Sequence, residues 1–286
     1  MPTIRPGLRA EEWAGTERVG SCKDRDVNRT DRETVLAHFS LRGANWPDRV
    51  SATAEAGYTG VGLFVGEYLR LQQMGWTDET MLQVLREYNM PVIELEAMRF
   101  FADLDPVWEH VIKTFRPKRL QVVPPFDGPC DRAAAVDWLS TIADAFDPYG
   151  VRLAIEFLGC SEIDCAAEAI SLIERTGRKN IGLCVDSWHV MRGRGLDGLR
   201  GIDLSYVAAI QIDDGPLEPT LPDYIPDCLH YRCPLGEGEF PLKEFLSLLP
   251  GDAPLSVEVI DDDMDLLPTA AVAHRLYQSL LSTLAA

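Results

Sequence analysis

Four successive apolar runs in the second half of the chain each carry one acid or amide at their far end. They read Leu153-Ala154-Ile155-Glu156, Gly182-Leu183-Cys184-Val185-Asp186, Ala208-Ala209-Ile210-Gln211-Ile212-Asp213 and Leu255-Ser256-Val257-Glu258. A single carboxylate behind a buried run could pair with an arginine in the core. Four in succession ask for another partner, because uncompensated buried charges each cost several kcal/mol. A divalent cation is the simplest one. Glu156, Asp186 and Glu258 with the amide oxygen of Gln211 make a hard-oxygen set that leaves room for water or substrate. Such a set favours Mn²⁺ or Mg²⁺, admits Co²⁺ and, lacking histidine or thiolate among its four members, disfavours zinc.

Two further side chains fall near the same ends. His189, in Asp186-Ser187-Trp188-His189, follows the acid by three residues, close enough for both to face one bound molecule. Arg232 lies in the donor-rich stretch His230-Tyr231-Arg232-Cys233-Pro234-Leu235-Gly236-Glu237-Gly238, where it could clamp a hydroxyl, carboxylate or phosphate oxygen or pair with an aspartate. Arg42, Arg99, Arg192 and Arg194 also fall at or beyond strand ends, so an anionic group could be met there, yet no phosphate loop accompanies them. Glu94 and Glu96 alternate on one face of an earlier strand and are read as structural. Trp46, Tyr68, Trp188 and Tyr231 are candidates to wall off a sugar-sized pocket.

The elements that must position these residues follow a regular order. Short β-branched or apolar runs at 34–41, 60–65, 91–97, 119–123, 152–158, 181–186, 207–212 and 255–260 read as eight strands. Helical spacing occupies 48–56, 78–87, 106–115, 131–146, 163–176, 241–249 and 269–284, and only the connection 188–206 lacks a clear helix. Eight βα repeats close most simply into an α/β fold of the (β/α)8 TIM-barrel type, in which chemistry sits at the C-terminal strand ends. A doubly wound open sheet would show a Gly-rich phosphate loop after its first strand, and residues 34–47 hold a single glycine, Gly43. The expected organisation is one catalytic barrel domain over 33–286, preceded by an irregular extension over 1–32.

Composition bounds the partners. The 286 residues carry a formal charge of −18 with no basic run, which excludes nucleic acid as a partner. No apolar stretch is long enough to span a membrane, and the first 30 residues lack the apolar core of an export signal. Seven cysteines form an odd set without a CxxC pair, consistent with reduced thiols. These features set the expectation of a cytoplasmic protein acting on a small molecule.

The site residues together carry a family likeness. From about residue 36 to 280 the chain resembles the sugar isomerases and epimerases of the xylose isomerase-like TIM-barrel superfamily, most specifically in AIEFL (Glu156), VDSWH (Asp186, His189), IQIDD (Gln211), RCPLGEGEF (Arg232 to Phe240) and SVEV (Glu258). The resemblance implies that Glu156, Asp186 and Glu258 bind one divalent ion, with a strand-seven side chain as fourth ligand. It also implies that Glu156 and Glu258 remove and return a substrate proton through an enediolate, while His189 and Arg232 hold substrate oxygens. The family's habit points to a homo-oligomer. The departure is at strand seven, where most members have His-x-Lys-Asp and this chain has Gln211-Ile212-Asp213-Asp214. Dehydratases of the superfamily that act on 3-dehydroshikimate are similar in using glutamine there. The leading expectation is therefore an isomerase or epimerase of a small sugar or keto-polyol, with a lyase or dehydratase as the alternative. An endonuclease IV-like DNA cleaver would need many histidines, and the chain has five. A non-catalytic binder would have no need of the paired acids.

Overall fold

Eight parallel strands close into a barrel in strict chain order in the computed structural model, which describes residues 32–285. The strands are β1 (Thr34–Leu36), β2 (Gly60–Phe64), β3 (Val92–Arg99), β4 (Arg119–Val123), β5 (Arg152–Glu156), β6 (Ile181–Asp186), β7 (Val207–Ile212) and β8 (Leu255–Val257), with β8 pairing back to β1. The expected barrel is confirmed. The extension lies outside the described residues except for Arg32, whose guanidinium donates to the Ala253 carbonyl.

Among the described residues, ten α-helices pack around the strands: α1 (Trp46–Ala56), α2 (Val65–Gln73), α3 (Asp78–Glu87), α4 (Pro106–Phe115), α5 (Arg132–Phe146), α6 (Ala166–Thr176), α7 (Ser187–Met191), α8 (Tyr224–His230), α9 (Leu242–Ser247) and α10 (Thr269–Ala285). Local chemistry fixes their ends. Asn45 accepts the Asp48 N–H to start α1, which stops at Gly57 with φ of 114°, a conformation that favours glycine. Thr77 and Thr80 satisfy each other's backbone N–H groups at the start of α3. Between helices and strands lies one apolar core, in which Trp46, Phe146 and Phe245 are fully buried.

Three helices were not expected. α2 follows β2 with no intervening loop, α7 occupies the connection read as lacking a helix, and α8 lies in the long excursion after β7. Four strands are also shorter than their apolar runs, β2 by a single residue. After Leu36 the chain turns into a 3₁₀ segment, His38–Leu41, because Ser40 Oγ donates to the Val257 carbonyl and accepts the Val259 N–H. That bond pins the start of the first loop to the end of β8. β8 itself ends at Val257, so Glu258 stands one residue beyond the ladder, and β5 ends at Glu156.

The barrel interior is polar in layers. Glu94 reaches Ser256 across the barrel and faces Arg119 at 3.4 Å, and Arg119 in turn contacts Glu33 at 2.6 Å. One layer higher, Glu96 Oε1 accepts the backbone N–H of His38 at 2.8 Å. This close approach requires Gly62 on β2, where a Cβ would stand 1.9 Å from Glu96 Oε1 and 2.9 Å from His38 N. Gly62→Ala is accordingly expected to lower stability by about 1–3 kcal/mol through overpacking, read from urea unfolding.

Candidate active site

Glu156, Asp186, Gln211 and Glu258 all come from the C-terminal ends of adjacent strands, and register aligns Asp186 with Gln211 and Gln211 with Ser256. All four are buried. Asp186 has a double task. Its Oδ1 accepts the N–H groups of Trp188 (2.6 Å) and His189 (3.3 Å), capping α7, and its Oδ2 accepts from Arg232 Nη1 at 3.0 Å. The cap places the imidazole. His189 Nε2 lies 2.8 Å from Glu156 Oε1, and Nδ1 lies 2.6 Å from the Tyr224 hydroxyl, whose ring stacks on the imidazole at 15°. The Gly159 N–H donates to the same hydroxyl at 3.1 Å, so one tyrosine on α8 steadies both the histidine and the loop after β5.

One atom each from Glu156, Asp186 and His189 lies within 4.8 Å of the other two, and all three residues are buried. A carboxylate pair with an imidazole suits a divalent cation. The set differs from the four expected ligands. His189 stands among the converging atoms, which removes the argument against zinc that rested on the lack of histidine. Gln211 as placed accepts the Cys184 thiol on Oε1 at 3.3 Å, and its Nε2 is buried without a partner. Turning the amide end for end makes the oxygen the unpartnered atom. A buried amide with one unmatched atom beside the acids fits a cation ligand.

Arg232 is not where a substrate clamp would be. Its side chain is fully buried, with Nη1 donating to Asp186 Oδ2 (3.0 Å), Glu258 Oε2 (3.1 Å), the Glu258 carbonyl (3.2 Å) and Asp213 Oδ2. Nε donates to the Cys228 carbonyl at 3.1 Å and Nη2 to its sulfur at 3.1 Å. The guanidinium therefore orients one oxygen of each of two site acids, while the other oxygen of Asp186 caps α7.

Electrostatics follow this arrangement. Burial pushes the Glu258 carboxyl well above the usual range, Arg232 opposes, and the neighbouring Glu156 adds to the rise. Burial also raises Asp186, but Arg232, His189 and the α7 backbone N–H outweigh it, and the group ends below its ordinary value. Burial and Asp186 push Asp213 up to about 7 against the pull of Arg232.

Asp213 and Tyr224 are the partners that sequence reasoning missed. Asp213 shares strand parity with Gln211 and so faces inward, a signal that was there to be read; besides Arg232 it bonds Ser187 Oγ at 2.6 Å. Tyr224 lies 35 residues from the histidine it holds, and nothing local marks it.

Comparison with known proteins agrees with the barrel fold. The family model described as xylose isomerase-like TIM barrel matches residues 50–280. A 3-dehydroshikimate dehydratase of Pseudomonas aeruginosa is 31% identical over 157 residues, 52% of this chain and 24% of that protein. An inosose isomerase of Bacillus licheniformis is 33% identical over 86 residues, 29% of this chain and 31% of that protein. The match thus spans less than a third of either relative's length. Among solved structures, the IOLI protein with a binding zinc atom superposes with a TM-score of 0.77 at 19% identity, covering 88% of this chain and 98% of that one.

Proposed function

The chain belongs to the xylose isomerase-like TIM-barrel family, and on that premise we propose that it is a divalent-metal-dependent isomerase or epimerase of a small sugar or keto-polyol. The observation that carries this is the convergence of Glu156, Asp186 and His189 within 4.8 Å, with Glu258 held at the same mouth by the guanidinium that also holds Asp186. The residues to hold the ion are Glu156, Asp186 and Glu258, with His189 or Gln211 completing the set. Manganese or magnesium suits the acids, and cobalt or zinc suits a set that includes the imidazole. When bound, the ion supplies Lewis acidity that makes the C–H beside a ketone easier to ionise.

The chain's own residues do the rest. Glu156 and Glu258 form the proton-transfer pair: one takes the proton from the carbon next to the carbonyl, and the other returns a proton. Return to the same carbon on its other face gives an epimer; return to the former carbonyl carbon, with the neighbouring hydroxyl's proton passing to the former carbonyl oxygen, gives the aldose–ketose isomer. His189, held by Tyr224 through Nδ1, steadies Glu156 through Nε2, and that one nitrogen would turn to the ion or to a substrate oxygen once either is bound. The protein is proposed to act in the cytoplasm on a small molecule, with a homo-oligomer as its working form.

A dehydratase reading is favoured by two observations, Gln211 at the strand-seven position and the 157-residue match to a dehydratase. There the same intermediate expels a β-hydroxyl, which leaves with a proton as water. Solvent deuterium separates the two: an isomerase returns label to substrate carbon, whereas a dehydratase forms an ultraviolet-absorbing product. Elemental analysis of the purified protein is expected to find about one divalent ion per chain, as the site's single ligand cluster implies. Asp186→Asn is expected to lose it. A native protein that binds no divalent ion, and gains no thermal stability from added Mn²⁺, Co²⁺ or Zn²⁺, would sink the proposal.

A further inference from the structure

His189 stands inside a chain of four polar groups whose two ends have fixed roles. At one end the Gly159 backbone N–H, which can only donate, meets the Tyr224 hydroxyl at 3.1 Å. That hydroxyl lies 2.6 Å from His189 Nδ1, with the two rings stacked at 15° and their centroids 5.9 Å apart. At the other end His189 Nε2 lies 2.8 Å from Glu156 Oε1, and an ionised carboxylate can only accept.

A donor at one end and an acceptor at the other leave one direction for the protons between them. The Gly159 N–H takes a lone pair of the phenol oxygen, so the phenol's single proton goes to Nδ1, and Nε2 carries the imidazole's own proton toward Glu156. The opposite tautomer fails twice. A proton on Nδ1 would turn the Nε2 lone pair onto a carboxylate oxygen at 2.8 Å, and it would leave the phenol's proton without an acceptor among the described residues. An imidazole protonated on both nitrogens meets the second objection as well.

The fold holds the two rings in this relation. His189 lies on α7 and Tyr224 on α8, in the excursion after β7. Arg192, which follows α7, ties the two together: its Nε donates to the buried Asp227 Oδ2 of α8 at 3.2 Å, and its Nη1 and Nη2 donate to the carbonyls of Leu217 (3.1 Å) and Pro216 (2.7 Å). Asp227 Oδ1 in turn accepts the N–H groups of Thr220 (2.8 Å) and Leu221 (2.9 Å), which folds the excursion back on itself. The helix that carries the tyrosine is thus fastened to the helix that carries the histidine.

We propose that Tyr224 is a positioning residue that fixes His189 in its neutral Nε2–H form, so that the imidazole meets a bound molecule as a hydrogen-bond donor. Its use in catalysis rests on the metal-dependent reading above, within which it directs Nε2 to a substrate oxygen and not to the ion.

The test is nitrogen-15 NMR of the full chain labelled at histidine, at neutral pH, where the couplings between ring nitrogens and ring protons distinguish the two tautomers. His189→Gln identifies the signals by their loss. The metal-free native chain is expected to show the Nε2–H form. Glu156→Gln replaces the fixed acceptor by an amide that can present either atom, so Tyr224 alone then sets the tautomer and the Nε2–H form is expected to persist. Adding Tyr224→Phe keeps the stacked ring, removes the hydroxyl, and is expected to give a mixture of both forms. An Nδ1–H form in the native chain, a mixture already present in Glu156→Gln, or an unmixed Nε2–H form in the double variant would each overturn the role of Tyr224. If the double variant fails to fold, zinc supplies a second measurement on the native chain. Saturating Zn²⁺ is expected to leave the Nε2 proton in place, and its replacement by an Nδ1–H form would overturn the proposal. A native chain that binds no zinc and keeps the Nε2–H form would overturn the metal-dependent reading and leave the role of Tyr224 standing.

Discussion

Glu258→Gln is expected to reduce solvent-deuterium incorporation by about a thousandfold or more, the upper part of the range for losing one positioned acid–base group. The argument is geometric. Glu258 Oε2 accepts from Arg232 at 3.1 Å, so in the variant the amide oxygen turns toward the guanidinium and the NH₂ turns toward the mouth. One substitution thereby removes a ligand charge and a proton carrier while keeping the side chain's shape. Burial already holds the Glu258 carboxyl well above its ordinary range in the metal-free protein, so an uncharged isostere is tolerated and the fold should persist. Unfolding by urea is expected to be near native, and bound metal by elemental analysis is expected to fall. Asp186→Asn provides the contrast. It also loses metal, but Oδ1 caps α7 and carries His189, so its loss should weaken that helix as well. Glu258→Gln protein with native turnover would remove Glu258 from the proton-transfer pair.

Much of this site could be read in the sequence because a parallel barrel turns strand order into spatial order. Glu156, Asp186, Gln211 and Glu258 each close an apolar run, and inward parity at the ends of adjacent strands brings them to one mouth. The strand limits were less legible. The 34–41 run is mostly apolar, but the Ser40 bond to β8 ends β1 at Leu36, and a hydroxyl's distant partner leaves no local mark. The short helix α7 was missed because it spans five residues, too few for a periodic pattern, and its cap is Asp186, already assigned to the metal. Arg232 was read as a substrate clamp or as the partner of an aspartate, and the fold realises the second. Sequence marks a cation near acids, and only the fold shows Asp186, Asp213 and Glu258 closing around it. The Glu96 pair illustrates the same limit: parity sent both Glu94 and Glu96 inward, yet only the packed barrel shows that Glu94 is fully engaged and that Glu96 keeps one oxygen unmatched.

Arg232→Met should show the size of that enclosed charge. The guanidinium is the only cation contacting Asp213 and Glu258 among the described residues, and it is fully buried. Methionine fills much of the same volume but leaves three inward carboxyls without their shared counter-charge. Removing one partner of a buried ionic network costs about 3–5 kcal/mol, and the expected loss in urea unfolding is of that order. Two additions separate charge from packing. Adding Asp213→Asn to Arg232→Met removes one stranded acid and should recover part of the loss, whereas a packing defect would be deepened or left unchanged. Saturating Mn²⁺ should also raise the variant's unfolding midpoint by more than it raises the native protein's, because the ion then supplies the charge the arginine had provided. Equal metal stabilisation of the two proteins, together with a double variant no more stable than Arg232→Met, would mean that the arginine acts by filling space and that the acids do not depend on it for neutralisation.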